Sequence, residues 1–313
     1  MRILVLGRTG QVAASLQEMA AAAPGVELIA LGRPQLDLEN GSAMGDVISA
    51  ARPDIVVNAA AYTAVDKAEQ DAERAFAINC DGAGAAAAAT ARLGVPFIHL
   101  STDYVYSGDK DSPYLESDPT GPLGVYGRSK LAGELRVRDE HPSPLILRTS
   151  WVYSPFGANF VKTMLRLAAD RRVLSVVDDQ TGNPTSALGI ASAILRIAPG
   201  LSDGGTYHLC GGGEITWCGF ARHIFTVSHA LGGPSAEVRA ITTQDYPTAA
   251  TRPANSRMSM DAFATRFGFR LEAWQMELEP VLRKLLARDD ARQHADARQA
   301  HAAANMAAME KDT

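Results

Sequence analysis

The sequence predicts an α/β protein: a doubly wound, Rossmann-like parallel sheet carrying a smaller, discontinuous C-terminal substrate domain. Short β-rich apolar runs alternate with longer helical patterns through the first half of the chain. A glycine turn joins the first such run to the first helix, and after Trp151 proline and glycine break the rhythm. Strands that are apolar throughout and separated by helices belong to parallel sheets covered on both faces. Right-handed crossovers then leave double winding as the economical arrangement.

The expected strands are Arg2–Leu6, Glu27–Leu31, Asp54–Asn58, Pro96–Leu100 and Leu145–Leu147, with helical segments such as Gln11–Ala22 and the Ala-rich Ala83–Leu93 between them. Beyond Trp151 the punctuation comes from Pro155, Gly157, Gly182, Pro184, Gly204, Gly205 and Gly211–Gly213. Ala187–Ile197 reads as a helix and Tyr207–Leu209 as a strand, both returning to the sheet. The dinucleotide-binding domain is therefore drawn over 1–150 with about 186–209, and the substrate domain over 151–185 with 210–288. Residues 289–313 hold Ala, His, Gln, Asp and Met without a sustained apolar face and read as a flexible tail.

At 313 residues the chain is large enough for one main domain with a second grafted onto it. Its 46% hydrophobic and 21% charged residues are those of an ordinary globular enzyme. A net charge of -5 and a pI near 5.8 argue against nucleic acid as a partner, since neutralising phosphates needs a basic face. Cys80, Cys210 and Cys218 are odd in number and widely spaced, so they outline neither a disulfide framework nor a metal site. No apolar run approaches the roughly 18 residues of a membrane span, and Met1–Gly7 runs straight into a glycine loop, unlike a signal peptide. A cytoplasmic protein without a membrane partner is expected.

Gly7-Arg-Thr-Gly10-Gln-Val-Ala13 follows the first strand and opens the first helix. A tight turn calls for Gly7, close approach of a pyrophosphate to the backbone calls for Gly10, and helix-on-strand packing calls for a small residue such as Ala13. The amides at the helix start favour phosphate, so the loop suits a dinucleotide, although a simple turn has the same pattern. After the second strand the chain reads Leu31-Gly32-Arg33, with a cation where an NAD site usually carries an acid. Arg33 suits a 2′-phosphate and tilts the reading toward NADPH, with a solvated loop charge and NADH still open. Asp37-Leu38 could flank the adenine or close a turn.

Ser101-Thr102-Asp103-Tyr104 ends the fourth strand, and Tyr126-Gly-Arg-Ser-Lys130 opens a helix downstream. Residues i and i+4 share a helix face, so the Lys130 ammonium is expected near Tyr126, lowering its phenol toward neutrality. Thr102 at a strand's carboxyl end can bond the same carbonyl oxygen. Thr102, Tyr126 and Lys130 together suit hydride transfer, with Tyr126 as the proton donor.

These segments, together with Asn58–Glu69, Arg148–Tyr153, Asp179–Thr185 and Arg252–Arg257, resemble the dTDP-4-dehydrorhamnose reductases, which are extended short-chain dehydrogenase/reductases. The resemblance runs from Met1 to about Leu286. It implies reduction by NAD(P)H of the C4 keto group of dTDP-4-dehydro-β-L-rhamnose to dTDP-L-rhamnose. It further implies that Gly10, Gln11 and Val12 hold the pyrophosphate, and that Asp37, Leu38, Ala61, Tyr62 and Thr63 line the cofactor. Thr102, Asp103 and Trp151 would meet the sugar nucleotide, Trp151 by stacking on a C–H face. Arg252 and Arg257 are candidates for the diphosphate, with surface ion pairs as the alternative.

The sequence departs from the family at Ala13, where a third glycine is usual, and at Arg33, where some members carry an acid. Magnesium and a homodimer stay open. So do two rivals: another nucleotide-sugar epimerase or reductase, and a non-catalytic NADP-binding subunit resembling the methionine adenosyltransferase β subunit. A 4,6-dehydratase is disfavoured, because Thr102 is followed by Asp103-Tyr104 and not by Asp-Glu.

Overall fold

β1 (Arg2–Leu6) is fully buried from Ile3 to Leu6, as a strand covered on both faces must be. A computed structural model describes residues 1–287, so the tail expected at 289–313 lies outside the described residues. α1 (Gln11–Ala20) returns the chain to β2 (Glu27–Leu31), which pairs with β1 in parallel from Arg2↔Glu27 to Leu6↔Leu31. α2 (Met44–Ala51) then delivers β3 (Ile55–Asn58) to the other side of β1. The direction of travel reverses at β1, and the crevice beyond the carboxyl ends of β1 and β3 is where such sheets bind ligands.

Two short helices, α3 (Val65–Ala68) and α4 (Ala72–Phe76), precede a π-helical turn over Ala77–Gly82 and then α5 (Ala83–Leu93). β4 (Phe97–Thr102) follows, and it ends because the Thr102 hydroxyl accepts a hydrogen bond from the Tyr104 amide, opening a 3-10 turn. After α6 (Val125–Glu140) comes β5 (Leu145–Thr149), whose register sets Ser101 opposite Arg148 and Thr102 opposite Thr149.

The second half adds β6 (Val152–Tyr153), α7 (Phe160–Asp170), β7 (Val173–Val177), β8 (Thr181–Gly182) and β9 (Thr185–Ser186). The Ser186 hydroxyl caps α8 (Ala187–Ile197), accepting from the Leu188 and Gly189 amides, and α8 packs along α1. β10 (Gly205–His208) completes a six-stranded parallel sheet in the order β10-β5-β4-β3-β1-β2. β11 (Ile215–Thr216), α9 (Trp217–Ala230), β12 (Glu237–Ile241), α10 (Asp261–Phe267) and a helix over 274–287 finish the described chain. Among the described residues three two-stranded sheets stand beside the main sheet: β7 with β12, β8 with β11, and β6 with β9.

Ile3, Val5 and Ile98 pack on one face of the main sheet with Leu16, Ile190 and Ile194, while Leu4, Val56 and Phe97 pack on the other with Ile48 and Ala86. Tyr153, Phe220, Trp274 and Leu278 form a separate core among the C-terminal elements. Each buried Leu, Ile or Phe contributes about 1.5–3 kcal/mol of transfer free energy, so each layer is held largely by its own apolar contacts. Among the described residues no helix is long and apolar enough to cross a membrane.

Candidate active site

The glycine loop lies against the exit of β3. Gly7 has φ +113, and a Cβ there would come within 3.1 Å of the Ala60 amide nitrogen and 3.2 Å of the Ala59 carbonyl carbon. Both the backbone conformation and the space require glycine. Gly10 precedes α1 in extended geometry with no side chain capping the helix, so the first-turn amides point out at the carboxyl edge of the sheet. The Val12 side chain belongs to the core. Gln11 donates from Nε2 to the Val152 carbonyl at 3.1 Å, while its Oε1 accepts from Ser154 and Asn159 at 2.9 Å each. Only the backbone of Gln11 and Val12 is therefore left for a phosphate, since both side chains hold the fold.

Arg33 extends from the end of β2 with its side chain 64% exposed, 3.9 Å from Glu39. Arg8, which sequence reasoning passed over, stands beside it: a Cβ on Gly32 would come within 3.0 Å of the Arg8 Cβ. Two guanidinium side chains thus rise from adjacent strand ends. Asp37 accepts from the Glu39 amide at 3.1 Å and closes a turn, and Leu38 is buried with its carbonyl against Gly82. Ala61 is partly buried and Thr63 exposed, while Tyr62 between them is clasped by Asn79. Asn79 Oδ1 accepts from the Tyr62 amide at 2.8 Å, and its Nδ2 donates to the Tyr62 carbonyl at 3.1 Å and to Ser129 at 2.9 Å. Ser129 in turn donates to the Tyr126 carbonyl at 2.8 Å. One buried amide on the π-helical turn therefore ties the 61–63 loop to the start of α6, a link between segments too far apart in sequence to be read from spacing.

Thr102, Tyr126 and Lys130 converge as expected at the carboxyl ends of β4 and α6's first turns, but their electrostatics differ from the expectation. The Tyr126 phenol is pushed up to about 12, chiefly by burial, with the neighbouring Thr102 hydroxyl working the other way. The Lys130 ammonium is hydrogen-bonded elsewhere. The Lys130 ammonium donates to the Leu100 carbonyl at 2.7 Å and lies 3.3 Å from His99 Nε2, and burial brings it down to about 8. The shared helix face is real, yet the lysine stem bends onto β4, where a main-chain carbonyl outcompetes the phenol as partner. Tyr126 is consequently held protonated, its ring edge-to-face with Tyr104 at 5.6 Å.

Asp103 is 2% exposed, and burial raises its carboxyl to about 7 against hydrogen bonds from Thr102 and Ser256. Thr102 donates to Oδ1 at 2.9 Å, while Oδ2 is buried with no partner. Ser256, absent from the sequence-based candidates, also accepts from the Trp151 indole nitrogen at 3.1 Å. Trp151 has φ +46, and its ring lies flat on Trp217 at 3.5 Å and 6°. One face expected to be free for a sugar is therefore covered by a second indole, and Trp217 was likewise missed. A Cβ on Gly182 would come within 2.5 Å of the Trp151 ring, so glycine there makes room for it.

Arg252 and Arg257 have different settings. Arg252 makes a two-pronged pair with Asp66, at 3.0 and 2.7 Å, and its charge acts on Tyr104 beside Tyr126. Arg257 pairs with Glu214 at 3.0 Å and with Asn255 at 2.8 Å. Among the described residues no group of three or more His, Cys, Asp or Glu side chains is placed to hold a metal.

The chain matches the RmlD substrate binding domain family over residues 1–287. It is 49% identical over 292 residues to the dTDP-4-dehydrorhamnose reductase of Sinorhizobium fredii, covering 91% of this chain and 98% of that one. It is 43% identical to the Escherichia coli K12 enzyme of the same name, with the same coverage. Among solved structures it superposes on the Bacillus anthracis dTDP-4-dehydrorhamnose reductase in complex with NADP, with a TM-score of 0.85, 35% identity and coverage of 90% and 98%. The Clostridium acetobutylicum ortholog gives a TM-score of 0.86 at 34% identity, with coverage of 91% and 100%.

Proposed function

The chain belongs to the dTDP-4-dehydrorhamnose reductase family, and from that membership we infer that it reduces the C4 keto group of dTDP-4-dehydro-β-L-rhamnose to give dTDP-L-rhamnose. The observation that carries the reading is the meeting of Thr102, Tyr126 and Lys130 at the carboxyl edge of a parallel sheet whose first turn is built around Gly7. A bound nicotinamide dinucleotide supplies the hydride. The uncapped start of α1 would hold its pyrophosphate, since Gly7 leaves no side chain between the loop and β3. Arg8 and Arg33 at the ends of β1 and β2 favour the 2′-phosphate of NADPH over NADH.

Tyr126 carries the proton. Because burial keeps the phenol neutral, it enters the reaction loaded, and the oxygen at C4 takes its proton as the carbonyl bond is reduced. Thr102 turns its single hydroxyl proton from Asp103 to the same oxygen and holds it beside the phenol. The Lys130 ammonium, fixed on the Leu100 carbonyl, stabilises the negative charge that reaches Tyr126. Asp103 and Trp151 line the sugar, and Arg252 answers the diphosphate by exchanging its bond to Asp66 for one to phosphate oxygen. We assign the dinucleotide to residues 1–150 with about 186–209, and the sugar nucleotide to the remainder as drawn from the sequence.

The test is consumption of NADPH by purified protein in the presence of dTDP-4-dehydro-L-rhamnose, with the product identified by chromatography. Stoichiometric oxidation to dTDP-L-rhamnose is expected, together with loss of at least about a hundredfold in kcat for Tyr126→Phe. Absence of turnover by the parent, or an unimpaired Tyr126→Phe enzyme, would overturn the assignment.

A further inference from the structure

The face of α6 that carries Tyr126 and Lys130 continues at the same spacing to Glu134 and Arg138, four residues apart at each step. Glu134 is completely buried, and its carboxylate is saturated by donors. Oε1 accepts from Ser101 at 2.6 Å and from Arg148 Nε at 2.8 Å. Oε2 accepts from Arg148 Nη2 at 2.7 Å and from Arg138 at 3.1 Å. Ser101 immediately precedes Thr102, and Arg148 is its cross-strand partner on β5. A single carboxylate therefore fastens the helix that bears the proton donor to the two strand ends that bear Thr102 and Thr149.

Burying this charge needs a stronger reason than stability, because a buried ion pair often contributes no more than apolar residues of equal volume. We propose that Glu134 is a positioning residue for the reduction: it sets the Tyr126–Lys130 face of α6 against Thr102 through Ser101 and against β5 through Arg148. This inference rests on the reduction assigned above.

Among the described residues no carboxylate is hydrogen-bonded to Lys130. From β4 it meets the Leu100 carbonyl and neutral His99, which is itself bonded to Asn58 at the end of β3. On its own helix it faces Tyr126 on one side and Glu134 on the other, with Arg138 one turn beyond. Burial drives Lys130 toward the free amine, and the Glu134 charge is what opposes it. Behind Glu134, Arg148 also donates to the Tyr106 hydroxyl at 2.7 Å, which lies 2.6 Å from His208 Nε2, and the His208 amide donates to Glu116. The carboxylate is thus balanced on the side away from Lys130 by Arg148, whose charge Glu134 holds in place.

Three variants of the full chain test this. Ser101→Ala cuts the link to Thr102 and leaves the ion pair intact. Glu134→Gln removes the charge at constant shape but strands Arg148, so it is accompanied by the double variant Glu134→Leu with Arg148→Met, which replaces the pair by apolar volume and is expected to fold. For each, kcat, both KM values and the pH profile of kcat are measured with NADPH and dTDP-4-dehydro-L-rhamnose, alongside NADPH binding. The expected result is a fall in kcat of about tenfold or more in all three, with NADPH binding retained. In Glu134→Gln, which removes the negative charge and keeps Arg148, the alkaline limb of kcat moves down by about one pH unit. A folded double variant with parental kcat would overturn the proposal, as would parental kcat in Ser101→Ala. A parent enzyme that binds NADPH and reduces no dTDP-keto sugar would instead overturn the function on which the proposal rests.

Discussion

Replacing Asp103 by Asn should make the protein less sensitive to alkaline pH, so that the variant gains stability on the parent as pH rises from about 4 to 8. Asp103 is 2% exposed, one of its oxygens has no partner, and burial raises its carboxyl to about 7. In the unfolded chain the same carboxyl titrates near 3.9. Its folded pKa lies above its unfolded one, so its contribution to stability is intact below about pH 4 and is lost progressively as pH rises through about 7. The difference of about three units, at 1.36 kcal/mol each, amounts to about 4 kcal/mol at pH 8 and about half a kcal/mol at pH 4.

An amide has no charge to desolvate and escapes this loss, although a new unpaired N–H costs about 1–3 kcal/mol at every pH. The absolute gain is therefore modest, and the informative quantity is how the difference between variant and parent changes with pH. Glu277, raised to about 7 by burial, titrates in both proteins and cancels. Urea unfolding followed by circular dichroism between pH 4 and 8 should show Asp103→Asn gaining about 3–4 kcal/mol on the parent across that range. A gain of less than about 1 kcal/mol would mean that the carboxyl is not held neutral, and the reasoning from its buried, unpartnered oxygen would fail.

Three further outcomes are expected. Arg33→Ala should raise KM for NADPH about tenfold while leaving KM for NADH within about twofold, a contrast read directly from steady-state rates; equal effects on both would remove the 2′-phosphate role. Gly133→Ala should cost about 1–3 kcal/mol in the same urea assay despite alanine's better helix propensity, because its Cβ would lie 2.0 Å from the Asn79 carbonyl oxygen. An unchanged midpoint would show that α6 and the π-helical turn can separate freely. Trp217→Ala uncovers one face of Trp151, and KM for the sugar nucleotide should rise several-fold with NADPH binding intact; an unaltered KM would mean that the indole stack does not hold Trp151 for the sugar.

The main sheet was legible because its information is local. β1 and β2 were drawn at their observed bounds, Arg2–Leu6 and Glu27–Leu31: β1 is buried on both faces and reads as an apolar run, while β2, partly buried at the sheet edge, still carries the unbroken apolar stretch Leu28–Leu31. The Ala83–Leu93 and Ala187–Ile197 helices coincide with α5 and α8 for a similar reason. The segment from Val65 to Gly82 went unread because distant partners determine it. Glu69 accepts from the Val125 amide, Asp66 holds Arg252 far along the chain, and Gly82 carries no side chain where Leu38 O would lie 2.4 Å from a Cβ. None of these pairings leaves a periodic trace.

The site divides along the same line, and the division bears on how its chemistry works. Tyr126 and Lys130 could be placed together because helical spacing puts them on one face, whereas the partner that Lys130 actually chooses is the Leu100 carbonyl, and a main-chain oxygen has no identity in a sequence. Spacing therefore indicates which groups can meet but leaves open which of the available acceptors captures a proton donor. At Lys130 that competition has a functional result: the ammonium is anchored to β4, burial lowers it to about 8, and the phenol keeps its proton until charge develops on the substrate oxygen. A donor poised in this way suits reduction better than one already ionised, since Tyr126 must give up a proton in the step that it assists. The same buried setting that makes Asp103 and Lys130 costly to charge thus keeps the proton on the phenol that has to deliver it.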